Sequence, residues 1–286
     1  MKIGVVFPQT EIGPQTSPVK AYALAAEEAG YDHLLVYDHV LGAGLDNRPD
    51  FRGPYNSETQ FREVFVLFGY LAAITEKLEL VTGVVILPQR QTVLVAKQAA
   101  EIDLLSGGRL RLGVGIGWND VEYTGLNENF KNRARRSEEQ IAVLRKLFTE
   151  QVVNFEGKYH HIPEAGINPL PVQRPIPIWI GGTADPAIER AGRLADGWFP
   201  QVQPGERLDH MMAVVAEGAR KVGRDPQSLG MEGRITLSNT APSEWKAMTD
   251  AWREVGATHL SVNTMGTKMD AAGHIDMIRR YRDVIG

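Results

Sequence analysis

The 286-residue sequence contains no cysteine. Disulfides, thiolate nucleophiles and zinc–thiolate sites are therefore excluded. No apolar run approaches the roughly 18 residues that a membrane-spanning helix needs. The opening stretch MKIGVVFPQ carries one positive charge and a short apolar run closed by proline. It is too short for a secretion signal and reads as a first strand. Charge of one sign is also scarce, with a formal net charge of -4 and no concentrated basic stripe. Neither nucleic acid nor a membrane surface is an expected partner. The seven histidines form no H-x-H or H-E-x-x-H pattern, so no metal site is expected. Together these absences point to a soluble, cytoplasmic protein.

What is present is a rhythm. Short apolar runs occupy 2–7, 33–39, 78–87, 109–117, 177–182, 197–202, 232–238 and 259–264. Helical patterns lie between them. The first has Ser17 at the N-cap, Pro18 at the first helical position and Gly30 at its end. Others cover 62–75, 92–105, 136–150, 185–195, a stretch reaching about 222, 243–256 and the segment closing at 285. A proline- and glycine-rich stretch at 154–175 forms an insertion between the fourth helix and the fifth strand. No linker divides the chain, which reads as one domain over 1–286. Eight strand–helix units, with strands apolar on both faces, predict an α/β fold of the (β/α)8 TIM-barrel type. A doubly wound open sheet is the rival.

In such a barrel the carboxyl ends of the strands surround the active site. The fourth strand ends in LRLGVGIGWN, with glycines at 113, 115 and 117. A dinucleotide fingerprint needs a glycine at the sixth position, where Trp118 stands, so that reading fails. Small residues there leave room for a flat ring or a close backbone contact. The second strand ends in the adjacent pair Asp38 and His39, suited to anion recognition or proton transfer. A glycine interrupts the buried third run, TGVVILP, and hints at a bulge. The fifth strand ends IGGTADP. Gly181 and Gly182 expose backbone amides there, Thr183 adds a hydroxyl, and a helix begins at Asp185 and Pro186, which makes an anion site.

These strand ends, with VYDHVLG, LVTGVVILPQRQTVLVAKQAAEIDLLSGGRLRLGVGIGW, RARRSEEQIAVLRKLF, FEGKYH and PIPIWIGGTADPAIERAGRLADGWFP, resemble the bacterial luciferase-like monooxygenase superfamily over nearly the whole chain. The branch most similar is the one that uses the deazaflavin coenzyme F420 (an 8-hydroxy-5-deazaflavin) in place of FMN. The resemblance implies a luciferase-like barrel with a non-proline cis peptide bulge in the third strand, at Gly83–Val84. Gly83, Val84 and Ile86 would back the cofactor ring, Ile116 and Gly117 would touch it, and Gly181, Gly182 and Thr183 would hold its phosphate. Asp38 would lie near the ring and His39 would act in proton transfer. The sugar-phosphate dehydrogenase branch has a glutamate where this sequence has Trp118, so an apolar or aromatic substrate is expected. Segment 42–61 is expected to cover the mouth as a lid, with Arg48, Arg52 and Tyr55 toward the substrate. A homodimer through the apolar helices 62–75 and 92–105 is implied as well.

The expected activity is hydride transfer between F420 and a small organic substrate. An FMN-dependent monooxygenase is the alternative. A cofactor-free lyase or isomerase for a phosphorylated substrate is more distant. It would need a catalytic lysine at the mouth, and only Lys268 is placed to reach it. A non-catalytic cofactor carrier is a third class, marked by binding without turnover.

Overall fold

Parallel strands close into a ring in the computed structural model, which describes residues 1–286. In chain order they are β1 (Lys2–Val6), β2 (His33–Val36), β3 (Glu79–Thr82), β4 (Val85–Ile86) and β5 (Leu110–Gly115). A hairpin of β6 (Val153–Glu156) and β7 (His161–Ala165) intervenes before β8 (Ile178–Gly181), β9 (Gly197–Phe199), β10 (Gly230–Thr236) and β11 (His259–Asn263). β3 and β4 are two halves of one stave, so the ring has eight staves. It closes where both halves pair with β5.

The helices are α1 (Thr16–Glu28), α2 (Val64–Ile74), α3 (Thr92–Ser106), α4 (Asp120–Gly125), α5 (Arg133–Thr149), α6 (Asp185–Leu194), α7 (Glu206–Lys221), α8 (Trp245–Glu254) and α9 (Ala271–Ile285). Their apolar stripes cover the ring, as in α3, where Val95, Ala96, Ala99, Ala100 and Ile102 are buried. No helix is long and apolar enough to cross a membrane.

Three local expectations change. α1 begins at Thr16 with Gln15 as a cap that makes no side-chain bond, so Ser17 and Pro18 lie inside the first turn. Proline is tolerated there because first-turn amides have no partner within the helix. α4, missing from the sequence reading, is only six residues long, too short to display a helical period. The 154–175 stretch contains most of an antiparallel hairpin, pairing Phe155 with Ile162 and Glu156 with His161. Its alternation runs over too few residues to register as a strand pattern.

The third stave carries one extra residue. Val81 pairs with Arg111 before the break and Val85 with Val114 after it. Four residues on one side thus answer three on the other, which is a bulge. The Gly83–Val84 peptide bond within it is cis. The glycines of the neighbouring stave accommodate it. A Cβ on Gly113 would lie 1.9 Å from the Thr82 carbonyl oxygen, one on Gly115 2.6 Å from Val84 Cγ2, and one on Gly117 2.7 Å from Ile86 Cγ2. Their missing side chains are therefore filled by the bulged stave. The room expected for a ring lies beyond Val84, not in the place of the glycine side chains.

Beneath the mouth, the ring interior holds an ionic layer. Glu232 accepts from Arg111 at 2.5 Å and faces His33 Nε2 at 3.0 Å, with Ser261 beside it. Arg111 also meets Glu79 and lies 4.3 Å from the Trp179 ring. Burial works to raise the Glu232 carboxyl, but Arg111, His33 and Ser261 outweigh it and hold the group well below the usual carboxylate range.

Candidate active site

The carboxyl ends of the staves surround a cavity of about 710 Å³. That size falls within the range of cofactor and ligand pockets. Asp38, His39, Gly83, Val84, Ile86, Ile116, Gly117, Trp118, Gly181, Gly182 and Thr183 all line it, as does Tyr55 of the 42–61 segment. Residues from five separated stretches of sequence thus converge on one space. Arg48 and Arg52 do not join them. Both are exposed and donate to carbonyls of their own loop, Arg48 to Gly44 and Arg52 to Pro49 and Phe51. A loop with unpaired carbonyls offers such side chains nearer acceptors than the cavity does. Lys268 does not line the cavity either.

Asp38 is buried, and both its oxygens are occupied. Arg90 donates to Oδ1 at 2.7 Å and the Ile86 amide to Oδ2 at 3.3 Å. Arg90 is held on its other side by Glu63 at 2.9 Å. Burial raises the Asp38 carboxyl against the lowering pull of Arg90. So placed, Asp38 ties the second stave to the bulged third one, and its carboxylate lines the cavity with both oxygens engaged.

His39 sits in an aromatic box. The rings of Phe61, Tyr55 and Trp118 lie 4.7, 5.0 and 5.8 Å from its imidazole. Its Nδ1 faces Glu122 Oε2 at 3.4 Å. The 42–61 segment closes on the same box, where a Cβ on Gly53 would lie 2.3 Å from the Trp118 indole. Trp118 and Tyr55 therefore form an aromatic wall beside the one imidazole of the cavity.

Across the mouth, the chain leaves β8 through Gly181 and Gly182 and enters α6. The amides of Gly182, Thr183 and Ala184 donate to no acceptor in the chain. Bare amides at a helix start are an anion seat. Arg207 of α7 donates to the Thr183 carbonyl at 2.7 Å, and Asp185 lies between Arg207 and His210.

The sequence reading missed several lining residues. Tyr37, Gln201, Arg234, Asn263 and Met265 reach the cavity from β2, β9, β10 and β11 or the residues just beyond. Arg234 donates to the Tyr37 hydroxyl at 2.7 Å. Burial raises the Tyr37 phenol, so it stays protonated beside that cation. Tyr37 was adjacent to the chosen Asp38 and His39. The others carry no local signal, because only closure of the ring brings them inward.

Comparison with known proteins gives the family. A family profile described as luciferase-like monooxygenase matches residues 1–284. An F420-dependent glucose-6-phosphate dehydrogenase of Amycolatopsis mediterranei is 31% identical over 245 residues, 83% of this chain and 69% of that protein. An FMNH2-dependent dimethylsulfone monooxygenase of Pseudomonas putida is 32% identical over 181 residues, 62% of this chain and 46% of that protein. Among solved structures, an F420-dependent secondary alcohol dehydrogenase in complex with an F420–acetone adduct superposes with a TM-score of 0.76 at 18% identity, covering 100% of this chain and 99% of that one. The chain belongs to the luciferase-like monooxygenase family and is an oxidoreductase of that class.

Proposed function

We propose that the protein is an F420-dependent oxidoreductase that moves a hydride between the deazaflavin and a small organic substrate. One observation carries the reading: His39 and the free amides of Gly182, Thr183 and Ala184 line the same cavity. A proton-carrying group and an anion seat in one cavity suit a phosphate-tailed planar redox group. The amides and the Thr183 hydroxyl would hold the phosphate. Gly83, Val84, Ile86, Ile116 and Gly117 would form the seat of the ring. When bound, the deazaflavin supplies or accepts the hydride. His39 holds the accompanying proton, delivering it to the substrate oxygen in reduction or taking it in oxidation. Asp38 and Arg90 fix the end of the second stave from which His39 projects. Trp118, and Tyr55 of the 42–61 segment, favour a substrate with an apolar body over a phosphorylated sugar.

The 31% identity to the F420-dependent relative supports this cofactor. FMN is the second reading, favoured by the monooxygenase relative at 32% identity. Titrating the purified protein with each cofactor, followed by fluorescence, separates the two. Tight FMN binding with no F420 binding would overturn the proposal. The same reading includes a homodimer through α2 and α3, whose Val66, Leu94 and Leu105 are 74, 52 and 58% exposed.

A further inference from the structure

We propose that Glu122 is a positioning residue for His39: it fixes the imidazole as the Nδ1–H tautomer and so reserves Nε2 for the substrate. The role of Nε2 rests on the oxidoreductase reading given above. The role of Glu122 rests on geometry alone.

Glu122 stands on α4, four residues beyond Trp118, and is 1% exposed. A carboxylate this buried needs partners for both oxygens. Oε1 accepts the amides of Val40 and Leu41 at 2.5 and 3.1 Å, the two residues that follow His39. Oε2 accepts from Gln89 Nε2 at 3.2 Å and faces His39 Nδ1 at 3.4 Å. One carboxyl group thus clamps the backbone beside the histidine and addresses its ring. An ionised carboxylate can only accept, so across this 3.4 Å approach Nδ1 can bond to Glu122 only as the nitrogen that carries the hydrogen. In a neutral imidazole the lone pair then resides on Nε2.

Nothing else around the ring competes for Nδ1. Phe61, Tyr55 and Trp118 present ring faces and edges, and the carboxylate of Asp38 is taken by Arg90 and the Ile86 amide. Gln89 precedes Arg90, so one turn after β4 supports both acids: Gln89 holds Glu122 and Arg90 holds Asp38. Burial works to raise the Glu122 carboxyl, but the contacts from His39, Val40 and Leu41 outweigh it and keep the group ionised. Outer groups that orient a functional imidazole in this way are a recurring device.

Glu122→Gln separates this role from a merely structural clamp. The amide oxygen can still accept from Val40 and Leu41, while its NH2 now faces Nδ1 as a donor. The tautomer should therefore invert. Two-bond 1H–15N correlation spectra of the 15N-histidine-labelled protein report it, with the His39 signal assigned by its loss in His39→Asn. We expect Nδ1–H in the native protein and Nε2–H in Glu122→Gln. Carbethoxylation of His39 by diethylpyrocarbonate, followed by peptide mass mapping, should slow about tenfold in the variant, because the remaining lone pair is shielded. Glu122→Asp keeps the charge and should keep the Nδ1–H tautomer. Both readouts use the protein without cofactor or substrate, so their failure is distinct from failure of the cofactor titration. An unchanged tautomer and unchanged modification rate in a folded Glu122→Gln protein overturn the proposal. Should that variant not fold, an Nε2–H signal in the native protein overturns it equally.

Discussion

A methyl group added at Gly113 would lie 1.9 Å from a backbone oxygen, whereas one added at Gly44 meets nothing within 4 Å. Backbone cannot swing aside as a flexible side chain can. Gly113→Ala is therefore expected to cost about 3 kcal/mol or more, at the upper end of overpacking. Gly44→Ala should stay within about 0.5 kcal/mol of the native protein, as for exposed sites in general. Urea unfolding of the two variants checks the contrast, and equal stabilities would refute the account of the fourth-strand glycines. Their spacing was legible as unusual in the sequence, but what fills the space was not, because the neighbouring bulge decides it. His39 was legible as a polar residue at a strand end, and Glu122 was not. His39→Asn is expected to leave cofactor affinity within about twofold while cutting turnover of any accepted substrate about 100-fold or more. Lost cofactor binding in that variant would make His39 part of the seat instead.

The 42–61 segment meets the barrel through close contacts. Gly53 lies against the Trp118 indole, and the Phe51 ring lies 6.0 Å from it. Gly53→Val has no room there and should hold the segment open. Limited proteolysis should then cut within 42–61 faster than in the native protein, while the melting temperature changes little; unchanged cleavage would mean that the contact does not hold the segment down. The length of this loop and its place after the second strand were readable from the sequence. Its arginines misled because charge suggests contact with a ligand, whereas local carbonyls captured both side chains. The ion pair of Asp38 was hidden for a related reason. Its partner Arg90 is 52 residues away in sequence, and no local pattern announces that pairing. The strands themselves were legible because continuous apolar runs survive any error in register.

At the scale of the whole molecule, closure brings the ionic layer together. Glu232 in the fold lies below its ordinary 4.5, so its stabilising effect is complete above that pH and is lost as pH falls. His259 is pushed down to about 3 from 6.5, chiefly by burial and then by Arg111 and His33. It stays neutral in the fold while an unfolded chain takes up a proton, so its effect is also lost as pH falls from 6.5 toward 3. The melting temperature should therefore be level above pH 7, decline below about 6.5 and fall more steeply below about 4.5. Glu232→Gln should lessen that last steepening and lower stability near neutrality by about 3–5 kcal/mol, since Arg111 loses a buried partner. Scanning calorimetry across pH tests both. Val66→Glu combined with Leu105→Glu should convert a dimer to a monomer in light scattering, and an unchanged mass would show that these helices are not the interface. The single surplus residue of the third stave has a wider meaning. Side chains along a strand alternate, so one added residue exchanges inside for outside in everything that follows it. A shorter stave could still complete the circle, yet the amide of Ile86 would no longer turn to Asp38, and the vessel would keep its walls while losing its shelf.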